Sequence, residues 1–128
     1  MAELKTISFF GTCLARSELT LVSKRIATPY QLHELHASFP GGTLNLMSLR
    51  FYTSSDNEAP AAGAPNGVSI LRDYGQVDYL VGDGVDKSIQ HQISVAEAGT
   101  YLKVYANNTD FFDHAVDVQI TIEIQPDQ

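Results

Sequence analysis

Residues 116–124 read Val-Asp-Val-Gln-Ile-Thr-Ile-Glu-Ile, so every second side chain is β-branched and apolar and every one between is polar. Successive side chains on a strand point to opposite faces, and this order therefore predicts a strand with one buried face and one wet face. Ile89, His91, Ile93 and Val95 give a second alternation; Leu102, Val104 and Ala106 give a third. Glu97-Ala98-Gly99 separates those two, and Asn107-Asn108-Thr109-Asp110 breaks the chain after the third. Alternation with turn residues at short spacing is how an antiparallel sheet is written.

Upstream, residues 4–10 predict a first strand with Ile7 and Phe9 on one face, and residues 18–23 a second. Residues 28–39 carry two signals. Thr28-Pro29 with Gln31 resembles a helix start. His33, Leu35, Ala37 and Phe39 alternate instead, and a helix would have to stop at Pro40, so a strand is favoured, with Pro40-Gly41-Gly42 as a hairpin turn. Residues 43–52 predict a long strand whose phase slips: Leu44 and Leu46 share one parity, Met47, Leu49 and Phe51 the other. A bulge, or a strand crossing between sheets, produces such a slip. Residues 53–67, with Ala59-Pro60 and Ala64-Pro65, show no apolar periodicity, which suggests a mobile excursion or a segment ordered by a partner. Two short strands are expected at 68–71 and 77–81 around Asp73-Tyr74-Gly75, and Gly82-Asp83-Gly84 makes another turn.

About eight strands without helical patterns between them predict an all-β fold, an antiparallel β-sandwich that is jelly-roll-like, in one domain spanning 1–128. At 128 residues such a domain buries its own core, and its single cysteine, Cys13, allows no intrachain disulfide. The missing tryptophan and missing cysteine pair weigh against an immunoglobulin-like sandwich. A net charge of −7 with only eight Lys and Arg argues against nucleic acid as a partner, since phosphates need clustered cations. No apolar run approaches the ~20 residues of a membrane helix, and no signal peptide is read, so the expected location is a virion or the cytoplasm.

His33 and His36 flank Glu34, but a spacing of three places them on opposite faces of a strand, and no metal or other cofactor is expected. Asp83 and Asp86, and Asn107, Asp110 and Asp113, are clusters of hard oxygen donors that calcium favours; their turn propensity explains them equally. No Gly-x-Ser-x-Gly elbow occurs, Cys13 has no histidine neighbour, and the carboxylates fall in turns or on wet faces, so no enzyme is expected. Tyr101 and Tyr105 flank Lys103 opposite Leu102 and Val104, and with Tyr74, Tyr79, Phe111 and Phe112 could form an aromatic platform. Phe111-Phe112, adjacent in a loop, cannot both point inward easily. The expected protein-contact residues are Phe111, Phe112, Tyr101, Tyr105, Ala59, Pro60 and Pro65.

Gly99-Thr100-Tyr101 entering a strand, the Asn-Asp loop, then the Asp-Val-x-Ile-x-Ile strand resembles the closing hairpin of bacterial and viral jelly-roll modules. That resemblance implies carbohydrate binding, holding subunits together, or decorating a particle. The expectation drawn from it is a non-enzymatic structural or assembly protein. Most concretely, this is a decoration (cement) subunit of a virus or phage capsid, a homo-oligomer with a trimer favoured, bound to a larger protein shell. The alternative is a carbohydrate- or calcium-binding jelly-roll module, against which the absent tryptophans and signal peptide count.

Overall fold

The alternating segment at 116–124 becomes an interior strand of its sheet. The computed structural model of the chain describes residues 3–39, 41–42, 46–60, 63–70, 79–95 and 99–124. Its strands are β1 (Glu3–Cys13), β2 (Ser17–Val22), β3 (Tyr30–Phe39), β4 (Met47–Ser54), β5 (Val68–Ser69), β6 (Val85–Val95), β7 (Tyr101–Asn108) and β8 (His114–Ile124). They form two four-stranded sheets, ordered β1-β8-β3-β6 and β2-β7-β4-β5, with every neighbouring pair antiparallel. Among the described strands, only β4 and β5 are consecutive within one sheet, and every other step in chain order passes to the opposite sheet. This interleaving is the jelly roll that strand number and turn spacing predicted.

The core lies between the two inner faces. On β8, Val116, Val118, Ile120 and Ile122 are buried, while Ala115 and Gln119 are exposed and Asp117, Thr121 and Glu123 half-buried. Phe9, Leu32, Leu35, Ala37 and Phe39 complete this layer, and Met47, Leu49, Phe51, Leu102, Val104 and Ala106 face it from the second sheet. Ile89 and Val95 pack at the core's margin. The side chains of His91 and Ile93 lie outside the described residues.

Several sequence expectations are revised. Of residues 28–39, Tyr30–Phe39 does form a strand, but its register shifts between Leu32 and Glu34. Leu32 and Leu35 are therefore the buried neighbours across the shift, and His33 leaves the parity of Leu35, Ala37 and Phe39. His33 and His36 thus share the outer face: His33 Nε2 meets Glu123 Oε1 at 2.8 Å, and His36 Nδ1 meets Ser88 Oγ at 2.9 Å. β3 and β4 belong to opposite sheets, so their connection is a crossover and not a hairpin. The same holds for β7 and β8. The phase slip before Met47 marks the start of β4 rather than a bulge, because Leu46 still belongs to the connection, where its carbonyl accepts from the Thr109 N–H at 3.0 Å. Leu44, Asp73, Tyr74 and the first two residues of the strand expected at 77–81 lie outside the described residues. At its far end that expected strand leaves only an isolated bridge between Leu80 and Leu49.

Ile120 sits in the middle of the inner face of β8, between Ile7 on β1 and Leu35 on β3. Replacing it with Ala is expected to destabilise the fold by about 2–5 kcal/mol, the range for truncating a fully buried aliphatic side chain. Replacing Thr121, its half-buried neighbour, with Ala is expected to change stability by no more than about 1 kcal/mol, and urea unfolding of both variants checks the face assignment.

Candidate protein-contact site

The register of β1 with β8 ends at Cys13 and His114, and beyond that pair both strands turn away. Two connections meet there, residues 14–16 and 109–113. Asn108, only 1% exposed, locks them together. Its Nδ2 donates to the carbonyls of Phe112 (2.8 Å), Cys13 (3.2 Å) and Leu14 (3.3 Å), and its Oδ1 accepts from the Asp110 N–H (3.0 Å). Asp110 continues the network: Oδ1 accepts from the Phe111 N–H at 2.7 Å and Oδ2 lies 2.8 Å from His114 Nε2. Asp113 Oδ1 accepts from the Ala15 N–H at 2.7 Å, and the Arg16 N–H donates to the Asp110 carbonyl at 2.9 Å. Arg16 holds a left-handed backbone (φ 53°) and lays its guanidinium 5.0 Å from the centre of the Phe111 ring.

This polar plug uses the chain's own groups to fix the loop, and the aromatic rings are left outside it. Phe111 and Phe112 are each 72% exposed, and Leu14 at 59% stands beside them. The result is an apolar tip on a rigid base. Leu14, Arg16 and Asn108 were not singled out from sequence, because nothing in their local pattern says that two distant connections meet.

The other expected contact residues divide. Ala59 and Pro60 are exposed and Tyr101 is half-buried, but Pro65 and Tyr105 are buried within the chain and present no surface. The reason is the segment after β4, which covers the outer face of the second sheet. Lys103, 0% exposed, meets Asp56 Oδ1 at 2.5 Å. The Tyr105 hydroxyl donates to Glu18 Oε1, which also accepts from the Gly63 N–H at 2.8 Å. Arg50 lies 6.0 Å over the Tyr105 ring. Internal bonds therefore hold this segment, which the sequence suggested to be a mobile excursion or ordered by a partner. Gly67 (φ 145°) closes it: a Cβ there would stand 2.7 Å from the Thr53 carbonyl oxygen.

The hard-oxygen candidates for calcium are distributed through these networks. Asp83 Oδ1 accepts from the Gly42 N–H at 2.8 Å, and Asp86 Oδ1 from Ser38 Oγ at 2.8 Å. Asn107 lies half-buried on β7 between Glu18 and Ser48, while Asp110 and Asp113 belong to the tip plug. Among the described residues no group of three or more His, Cys, Asp or Glu is arranged to hold a metal ion. Burial pushes the Cys13 thiol up, and its S–H points at the Ser17 carbonyl, 3.3 Å away. Among the described residues no helix is long and apolar enough to cross a membrane.

No protein family matches the chain by sequence, and no curated protein matches it. Solved structures match by shape at low identity. A subunit of the Bacillus endospore appendages, described as disulfide-linked pili, aligns with a TM-score of 0.51 at 14% identity, covering 96% of this chain and 87% of that one. The Yersinia pseudotuberculosis-derived mitogen gives 0.48 at 11%, covering 97% and 89%. The infectious bursal disease virus VP2 subviral particle gives 0.49 at 10%, covering 94% of this chain but only 32% of that one. The appendage subunit thus shares the sandwich fold over nearly the whole chain.

Asn108→Ala is expected to destabilise the protein by at least the roughly 1–3 kcal/mol associated with unpaired buried polar groups, measured by urea unfolding. Acid stability follows from three carboxyls held below their ordinary range. The causes are a hydrogen bond from His114 for Asp110, from Lys103 for Asp56, and from Tyr105 for Glu18. A depressed folded value means that the stabilisation is complete above the unfolded values, near pH 4, and is lost as pH falls through the folded ones. The urea midpoint should therefore stay level from these groups between neutrality and about pH 5, then fall steeply below about pH 4. Asp56→Asn should lower the neutral plateau and make the acid fall shallower.

Proposed function

We propose that this domain is a non-enzymatic assembly subunit that docks on another protein through the tip formed by Leu14, Phe111 and Phe112. One observation carries the reading: two adjacent phenylalanines, each 72% exposed, stand on a loop fixed by Asn108, Asp110 and Asp113. Exposed aromatic area of this kind is stabilised by about 25 cal/mol per Å² when a partner covers it. A rigid base also spares the ordering cost that a floppy loop meets on binding. The networks around Asp110, Asp113 and His114 tie the tip's titratable groups to the fold rather than to a reacting molecule.

The most concrete form of this reading is a decoration subunit on a virus or phage capsid, self-associating with a trimer favoured and bound to a larger protein shell. The fold supports the assembly role, since the Bacillus appendage subunit with the same sandwich belongs to pili. Those pili are described as disulfide-linked, whereas Cys13 here is fully buried and is not placed to form such a link from the folded domain.

Phe111→Ser with Phe112→Ser tests the proposal. The double variant is expected to keep its free energy of unfolding within about 1 kcal/mol, because both rings are solvent-facing. Its oligomer mass by light scattering, or its binding to candidate shells, should fall. Unchanged assembly with both rings removed would discard the tip as a contact. Deleting residues 59–65, by contrast, is expected to lower stability itself, because it removes the Gly63 N–H from Glu18 and the cover over Tyr105.

A further inference from the structure

The first sheet ends at β1, whose outer edge pairs with no strand among the described residues. The pairing of β1 with β8 runs unbroken over eleven residues, from Glu3↔Ile124 to Cys13↔His114. Such edges are commonly blunted by proline, bulges or charge. β1 has no proline and no register shift, and its charges, Glu3 and Lys5, sit together at its start. That start is the end farthest from the phenylalanine tip. There β1 and β2 part, because the chain after β2 continues along β7 before reaching β3: the Ser23 N–H donates to Leu102 O and the Ile26 N–H to Thr100 O, both at 2.8 Å.

The parting leaves a cleft of about 770 Å³ between the two sheets. Ile7, Phe9, Ile26, Ile122 and Ile124 supply its apolar lining, and Lys5, Lys24 and Arg25 stand at it as well. All three cations are exposed, and among the described residues none has a carboxylate partner. They are three of only eight Lys and Arg in a chain of net charge −7.

We propose that this cleft binds an extended segment of another protein, alternating apolar and acidic residues, as an added strand on β1. The outer edge of β1 supplies backbone donors and acceptors beside the cleft, over residues 5–9, and every second side chain of the segment bound there enters the apolar lining. Its carboxylates meet Lys5, Lys24 and Arg25, the charge complement that selects this segment over a neutral or basic one. A second copy of this chain is disfavoured as the source, because its own segment of that pattern, residues 116–124, is already the interior strand β8. The proposal is independent of the phenylalanine tip, which lies at the other end of β1.

The test titrates the full chain with a synthetic peptide of about nine residues alternating Glu and Ile, long enough to pair along the strand. Comparison probes are the same peptide with Lys for Glu, the Glu peptide N-methylated at alternate backbone nitrogens, and dodecanoate. The Glu peptide is expected to bind at least about tenfold tighter than the Lys peptide and the N-methylated one. Lys24→Glu with Arg25→Glu, both on an exposed connection, should weaken it by about tenfold or more while leaving the unfolding midpoint in place. Equal affinity for all peptides, no saturation below about 1 mM, binding of dodecanoate in place of peptide, or dimerisation that blocks the cleft would each overturn the proposal.

Discussion

β1 and β3 never pair with each other; both are held by β8, which lies between them. The first sheet therefore exists only because the strand from the far end of the described sequence inserts at its centre. Its inner face, Val116 to Val118 to Ile120 to Ile122, is what makes that position stable, since each of these side chains is removed from water. A slip of one residue would turn this whole row outward and Asp117, Gln119 and Thr121 inward. Register is thus strongly fixed, and it is fixed by contacts more than a hundred residues apart in the chain, as between Glu3 and Ile124. Contacts of that separation make folding slow relative to locally paired proteins of the same size.

The tip inherits its geometry from the same register. Because Cys13 stands opposite His114, the turn after β1 and the turn before β8 are forced side by side. Asn108 then has three carbonyls within reach, from Cys13, Leu14 and Phe112. With the backbone of the loop bonded inward, Phe111 and Phe112 have no inward route. Their exposure is a consequence of the plug beneath them. The edge of β1 follows from the same arrangement: only one side of that strand is used by β8, and its start is left beside an open cleft.

How much of this was legible depends on whether a feature repeats along the chain. The alternation of β8, of β7 at Leu102, Val104 and Ala106, and of β1 at Ile7 and Phe9 is periodic, and from it the sandwich could be read. The register shift in β3 is a single event at His33 that leaves the composition unchanged, so the two histidines were placed on opposite faces. The crossovers were read as hairpins at 40–42 and before β8 for a similar reason: turn residues announce a change of direction but not which sheet receives the next strand. The exposed phenylalanine pair was legible because two adjacent apolar residues in a loop conflict with any one-faced pattern. Asn108, which positions them, was not, since an asparagine after a strand looks like an ordinary turn residue.

Lys103 shows how a correct local reading can still give the wrong surface. Its parity, opposite Leu102 and Val104, puts it on the outer face of the second sheet, and that is where it lies. Yet it is wholly buried, because the segment after β4 folds across that face and brings Asp56 to within 2.5 Å of its ammonium. An ammonium taken out of water needs a charged partner; removing that partner leaves a cost that no neighbouring apolar contact offsets. The segment and the sheet therefore depend on each other, with Tyr105, Glu18 and Gly63 making a second tie beside the first. A loop bound in this way is part of the fold. Two surfaces that this chain leaves uncovered are the aromatic tip and the cleft at the start of β1.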